Sequence, residues 1–217
     1  MIIYGSTLSP FVRKLVAFAR EKGLDFELKP TGLNDPDPQF RAASPMGKMP
    51  ALVDGDFALA DSSAIIHYLE AKYPDPALIP ADPEQRGRTI WFEEWADTVL
   101  AACGAKMFFN RIVAPRFLGR DGDLAVADAA ERDELPRLLD YLERTVPEPG
   151  AFLVGDALTL ADLAIASPLA NLSHLRISLD GYPRTAAWSR SILERPAFAQ
   201  SIERETAFLE RTPEPAP

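Results

Sequence analysis

The chain has 217 residues, enough for one large domain or two small ones if a domain takes roughly 100–200 residues. Its 23 basic and 32 acidic side chains give a formal net charge of −9. This balance argues against a nucleic-acid-binding surface, which needs clustered Lys and Arg to neutralise phosphates. No run of about 18 apolar residues could span a bilayer, and no secretory signal is visible at the N-terminus. A single cysteine, Cys103, excludes an internal disulfide and a cysteine-rich zinc site. We expect a soluble cytoplasmic protein that binds neither nucleic acid, membrane nor metal.

The N-terminal part of the chain predicts short strands alternating with helices. The predicted strands are residues 1–4, 26–28, 51–53 and 57–59. One helix runs from Pro10 to Gly23, where apolar residues recur at helical spacing, and another starts at Asp61. A Gly-bearing turn at 54–56 joins the last two strands into a hairpin. A β-α-β unit, an irregular stretch and then β-β-α together predict a mixed sheet.

Composition changes after residue 73, where four prolines in ten residues predict a stiff linker. The remainder has a helical pattern. Helices are expected over 84–110 and 125–145, with Pro136 kinking or splitting the second, and others start near Thr159 and Thr185. We expect the proline-rich end, 212–217, to fray. The prediction is an α/β plus all-α protein, with an α/β domain over 1–76, a linker over 77–83 and a helical domain over 84–217.

A domain as small as the first is marginal alone, because it buries only about 60% of its unfolded surface. We therefore expect the two domains to share an apolar interface, with the ligand site in the cleft between them.

Three segments stand out as candidates for ligand binding. They are residues 7–14 (TLSPFVRK), 47–52 (GKMPAL) and 61–65 (DSSAI). In this order, and followed by a helical half, they resemble the cytosolic glutathione transferase superfamily, most closely its serine-type, tau-like members. The resemblance covers essentially the whole chain. It implies a thioredoxin-like first domain, a helical-bundle second domain, glutathione as co-substrate and a homodimer.

Ser9 is the predicted N-cap residue of the first helix, because Pro10 is favoured at the first helical position. On one interpretation its hydroxyl only caps the helix. The resemblance implies a second role, in which the hydroxyl donates a hydrogen bond to the glutathione thiolate at the positive helix end. A catalytic triad is not expected, since His67 and His174 lie on separate helices and no nucleophile-elbow motif occurs.

The resemblance also assigns the remaining contacts to glutathione. Pro50 is implied to be cis, and Met49 pairs its backbone with the cysteinyl part of the tripeptide. Lys48 meets the glycyl carboxylate as a point charge. Ser62 binds the γ-glutamyl carboxylate and Asp61 its ammonium group, although most relatives carry Glu at the latter position. The residues alone leave two alternatives open: an exposed loop cation at Lys48, and a purely capping role for the Asp61-Ser62 pair.

Other candidates concern the second substrate and stability. An apolar second substrate is expected against Leu8, Phe11, Phe108 and Arg111. Arg13 and Lys14 are expected on the surface, although Arg13 could assist the thiolate. Cys103 is expected to be a buried, inert thiol. Thr159 and Asp162 form a predicted capping box with a structural role.

The expected reaction is attack of the glutathione thiolate on an electrophilic, apolar small molecule. The same thiolate would serve a glutathione-dependent isomerase or peroxidase, and a non-catalytic interaction module is a third hypothesis. Members of the family that exchange thiols carry cysteine where this chain has Ser9, so thiol exchange is not expected.

Overall fold

A computed structural model of the chain describes residues 1–32 and 35–212, and it divides into two compact units. The first is Met1–Pro80 and the second is Ala81–Pro217. In the described part of the chain the first unit is a mixed sheet with helices, and the second is helical, which confirms the predicted fold class. The fraying expected at the proline-rich end falls almost entirely on residues outside the described ones. No helix among the described residues is long and apolar enough to traverse a membrane.

The first unit contains four strands and three helices. In chain order they are β1 (Ile2–Tyr4), α1 (Pro10–Glu21), β2 (Glu27–Lys29), α2 (Pro38–Ala43), β3 (Ala51–Asp54), β4 (Phe57–Ala60) and α3 (Ser62–Lys72). The sheet order is β2-β1-β3-β4, with β1 parallel to β2 and the other pairs antiparallel. Asp54 pairs with Phe57, so Gly55 and Asp56 form the two-residue hairpin loop.

Two features of this unit differ from the sequence prediction. The stretch predicted as irregular contains α2, whose N-cap Asp37 accepts hydrogen bonds from the N–H groups of Gln39 and Phe40. Arg13 and Lys14 are buried rather than on the surface, so the expectation of solvated charges was wrong. The helical period from Pro10 onward nevertheless gave α1 its correct position.

A buried ion pair, Lys22–Glu70, holds the C-terminal segment of the first unit in place; its Nζ and Oε2 atoms are 2.7 Å apart. Four backbone groups of the segment after α3 bind this pair. Lys22 donates to the carbonyl oxygens of Tyr73 and Pro76, and Glu70 accepts from the N–H groups of Leu78 and Ile79. Residues 77–80, predicted as part of the linker, therefore belong to the first unit.

The second unit begins with two long helical runs. The first extends from residue 83 to 117 and the second from residue 124 to 145. The first comprises α4 (Pro83–Trp95), α5 (Ala101–Phe108) and α6 (Ala114–Phe117), joined by π-helical segments Ala96–Leu100 and Phe109–Val113. The second comprises α7 (Leu124–Ala129), a π-helical segment Ala130–Glu134 and α8 (Leu135–Thr145). The chain ends with α9 (Leu160–His174), α10 (Pro183–Leu193) and α11 (Pro196–Arg211), the last of which was not predicted.

Proline explains where two of the π segments fall. Pro115 and Pro136 each lie two residues after the end of a π segment. A proline ring clashes with the carbonyl four residues earlier and offers no N–H to it. A wider π turn relieves that clash without ending the helix. The predicted kink or break at Pro136 is thus a local widening.

Asp162 anchors the start of α9 from a fully buried position, 0% exposed. Its carboxylate accepts hydrogen bonds from the N–H groups of Leu153 and Thr159, both at 2.8 Å, and from the Thr159 hydroxyl at 3.1 Å. These bonds favour the ionised form, but burial is the larger effect and raises the pKa of Asp162 to about 6. The capping box predicted at Thr159 and Asp162 is present, and both residues are buried.

Candidate functional site

The strand register of the first unit brings three loops to one end of the sheet. Tyr4 at the end of β1 pairs with Ala51 at the start of β3, and Ala51 pairs with Ala60 at the end of β4. The loop after β1 leads to Ser9, residues 48–50 lead into β3, and Asp61 follows β4. The three segments that the sequence singled out therefore lie side by side at the same sheet edge.

Ser9 is the N-cap residue of α1, with Pro10 at the first helical position as predicted. Its carbonyl accepts the N–H of Arg13 at 2.9 Å, and its own N–H donates to the Ser6 carbonyl at 3.0 Å. Its side chain, however, makes no capping hydrogen bond to the helix. Ser9 is half-buried. Its hydroxyl, at the positive end of α1, is therefore left available to another acceptor or donor.

Gly5 allows the loop after β1 to pass close to its neighbours. It has a φ of +154°, and a Cβ placed there would lie 2.6 Å from Cγ2 of Val12 and 3.5 Å from Cβ of Met49. The next residue, Ser6, donates its N–H to the Met49 sulfur at 3.4 Å. The loop that carries Ser9 is thus packed against both α1 and the segment before β3.

The segment before β3 presents unpaired backbone. The Met49–Pro50 peptide bond is cis. Within residues 1–32 and 35–212, the N–H and C=O of Met49 form no hydrogen bond. The Ser44 hydroxyl donates to the Lys48 carbonyl at 2.6 Å and accepts the Lys48 N–H at 3.0 Å, which fixes this turn. The side chain of Lys48 is exposed.

Asp61 and Ser62 form the start of α3. Oδ1 of Asp61 accepts the N–H groups of Ser63 and Ala64, both at 3.0 Å, and the residue has a φ of +80°. Ser62 is 3% exposed, and its hydroxyl has no hydrogen-bond partner in the described part of the chain. Capping accounts for one oxygen of Asp61 only, so the second oxygen and the Ser62 hydroxyl remain for a ligand.

The four residues expected around a second substrate are divided between the two units. Leu8 and Phe11 flank Ser9 in the first unit and are half-buried. In the second unit, Phe108 is 6% exposed. Arg111 is bound by Asp128 at 2.7 Å and by Glu131, both near α7, so its charge is already compensated.

Sequence reasoning missed the supporting residues Gly5, Ser6 and Ser44. Gly5 carried a signal, because a glycine directly after a strand indicates either a turn or a close backbone approach. Ser6 and Ser44 act through backbone and side-chain hydrogen bonds that depend on tertiary placement, and their positions carry no motif. Among the described residues, no group of three or more His, Cys, Asp or Glu could hold a metal ion.

A sheet unit with its ligand-accessible loops at one edge, followed by a helical unit, defines the class of two-domain proteins built on a thioredoxin-like domain. Two family models match the chain: the glutathione S-transferase N-terminal domain over residues 3–77 and the glutathione S-transferase C-terminal domain over residues 116–205. The chain therefore belongs to the cytosolic glutathione S-transferase superfamily, a family of enzymes.

Individual relatives agree with this assignment. A glutathione S-transferase of Hyoscyamus muticus is 32% identical, over 94% of this chain and 98% of its own. Glutathione S-transferase 3 of Zea mays is 34% identical over 92% of both chains. Among solved structures, a glutathione S-transferase of Methylobacterium radiotolerans in complex with glutathione sulfonate is 27% identical, with a TM-score of 0.76 over 93% of both chains.

Proposed function

We propose that the chain conjugates glutathione to an electrophilic, apolar small molecule, and that Ser9 stabilises the glutathione thiolate. The observation that carries the proposal is the Ser9 hydroxyl, which lies at the N-terminus of α1 yet makes no capping bond. On this basis the chain is a serine-type transferase. Because the thiolate forms before the electrophile arrives, no general base is required.

The interactions available at Ser9 are strong enough to lower the pKa of the glutathione thiol below neutral pH. A free thiol has a pKa near 8.5, and lowering it to about 6.5 requires about 2.7 kcal/mol. A helix N-terminus contributes about 0.3–1 kcal/mol, and up to about 2 kcal/mol where it is partly buried. A hydrogen bond to a charged group adds about 1.5–3 kcal/mol. Ser9 and the end of α1 together can therefore supply the shift.

The other loops at the sheet edge support glutathione binding. We assign the unpaired backbone of Met49 to the cysteinyl part of the tripeptide, which would add to the sheet as a short strand. The Ser62 hydroxyl and the N-terminus of α3 suit the γ-glutamyl carboxylate, and the second oxygen of Asp61 suits its ammonium group. Exposed Lys48 suits the glycyl carboxylate.

The second substrate is proposed to be apolar, since Leu8 and Phe11 flank Ser9. Of the two candidates in the second unit, Phe108 is the better one, because Arg111 is held by two carboxylates. The family resemblance also supports a cytoplasmic location and a homodimer. Light scattering of the purified protein tests the oligomeric state.

The test of Ser9 is steady-state kinetics with Ser9→Ala. Loss of a hydrogen bond to the thiolate, about 1.5–3 kcal/mol, should raise the pKa of the bound thiol by about one to two units. The smaller thiolate population should lower kcat at pH 7 about 4- to 40-fold, while glutathione affinity stays nearly unchanged. Ser9→Thr keeps the hydroxyl and is the matched control. Wild-type turnover in Ser9→Ala would refute the role of Ser9.

A substrate panel tests the reaction itself. Aryl halides report conjugation, organic hydroperoxides report peroxidase activity, and a cis-enone reports isomerisation. We expect conjugation to dominate. Retention on glutathione resin without turnover of any panel member would instead indicate a binding module.

A further inference from the structure

The Met49 side chain, and not only its backbone, has a specific position in the site. Its sulfur accepts the N–H of Ser6 at 3.4 Å, a distance typical of a weak hydrogen bond to a thioether. The same side chain lies against Gly5, where a Cβ would be 3.5 Å from Cβ of Met49. Met49 therefore connects the segment before β3 to the loop that leads to Ser9.

The strand register shows what this hydrogen bond replaces. β1 and β3 are antiparallel, with Ile2 opposite Val53 and Tyr4 opposite Ala51. If the same register continued past the ends of the strands, Ser6 would lie opposite Met49. In an antiparallel ladder, alternate opposed residues exchange backbone N–H and C=O bonds. The Ser6 N–H would then be a competitor for the Met49 carbonyl.

The sulfur removes this competition. Because the Ser6 N–H is satisfied by the Met49 side chain, the Met49 carbonyl remains unpaired in the described part of the chain. That carbonyl is the group to which the proposed function assigns the cysteinyl N–H of glutathione. The Ser6 carbonyl accepts the N–H of Ser9 at 3.0 Å. The Ser6–Met49 hydrogen bond therefore also helps to hold the turn before α1 in place.

We infer that the Met49 thioether is a positioning residue, which holds the Ser6 N–H away from the Met49 carbonyl so that this carbonyl can bind glutathione. The inference rests on the proposed function and assigns a role to the side chain as well as to the backbone.

The test compares three variants of the full chain. Met49→Leu keeps the volume of the side chain but has no acceptor, and Met49→Gln restores an acceptor oxygen at a similar distance along the side chain. Met46→Leu is the matched control, because Met46 is 80% exposed and precedes the same strand. Two quantities are measured: hydrogen exchange of the Ser6 amide in the absence of glutathione, and the Kd of glutathione.

In Met49→Leu, the Ser6 N–H should bond the Met49 carbonyl, a stronger acceptor than the sulfur. We therefore expect slower exchange at Ser6 and a Kd raised roughly 3- to 10-fold, the range for loss of one modest hydrogen bond. Met49→Gln should recover most of the affinity, and Met46→Leu should match the wild type. Unchanged exchange and Kd in Met49→Leu would overturn the inference. An equal loss of affinity in the Leu and Gln variants would also overturn it, because shape rather than an acceptor would then be responsible.

The design separates this inference from the proposed function. If wild-type protein fails to bind glutathione, the proposed function and the carbonyl's role both fail, whereas Ser6 exchange still decides whether the sulfur bond exists. If the wild type binds and Met49→Leu binds equally well, only the inference fails.

Discussion

The buried carboxylate of Asp162 should make the stability of the folded chain depend on pH in an unusual direction. Burial raises the pKa of Asp162 from its ordinary value of 3.8 to about 6. A carboxyl whose pKa is higher in the folded state binds its proton more tightly there than in the unfolded chain. Its contribution to stability is therefore complete below about pH 4 and is lost as the pH rises through about 6.

The size of the effect follows from the two pKa values. A difference of about two pKa units corresponds to about 3 kcal/mol between the fully protonated and fully ionised limits. As the pH falls from 7 to 5, protonation of Asp162 should stabilise the folded chain by about 1 kcal/mol of that amount. Other carboxylates titrate in the same range with the opposite sign, so the effect must be measured as a difference between variants.

Urea unfolding of the wild type and Asp162→Asn, followed by circular dichroism from pH 5 to 7, isolates this contribution. The amide cannot ionise, and it presents a donor where Oδ1 or Oδ2 accepts hydrogen bonds. The substitution itself lowers stability by an amount that does not depend on pH. On top of that constant difference, the free energy of unfolding of the wild type should rise by about 1 kcal/mol relative to Asp162→Asn as the pH falls from 7 to 5. Exposed Asp156, as Asp156→Asn, is the control. A pH-independent difference would refute the reasoning.

Three further outcomes are expected. Gly5→Ala should lower the free energy of unfolding in urea by about 2 kcal/mol or more, because the added methyl group would collide with α1. Gly23→Ala is the control: it has open space around it and should lower the free energy of unfolding by about 1 kcal/mol. Equal losses in the two variants would contradict this. Glu70→Gln should lower the free energy of unfolding by about 3 kcal/mol, because the buried Lys22 side chain loses its carboxylate partner, and an unchanged Tm would argue against it. Burial raises the pKa of Cys103 to about 11, so a thiol reagent at pH 8 should modify it only after unfolding in urea; rapid reaction of the native chain would contradict this.

Sequence patterns located the elements whose determinants are local. The first helix followed from Pro10 and the apolar period after it, and the hairpin followed from the glycine between two short apolar runs. The positions of Ser9 and Asp61 at helix starts were predictable for the same reason, since an N-cap residue is recognised from its immediate neighbours.

Features that depend on tertiary contacts were not predictable from those patterns. The burial of Arg13 and Lys14 was missed, because periodicity places a charged residue on a face without showing what covers that face. The short helix α2 was missed although Asp37 and Pro38 supply a start signal, since six residues give too little apolar period to support it. The Ser6–Met49 bond joins residues 43 positions apart, and only the strand register brings them together.

The most direct measurement for the proposed mechanism is the pKa of the glutathione thiol in the complex, titrated through the ultraviolet absorption of the thiolate. For the wild type we expect a pKa of about 6.5, and for Ser9→Ala a value at least about one unit closer to the 8.5 of a free thiol. If the wild type and Ser9→Ala titrate at the same pH, Ser9 does not stabilise the thiolate and the mechanism is wrong.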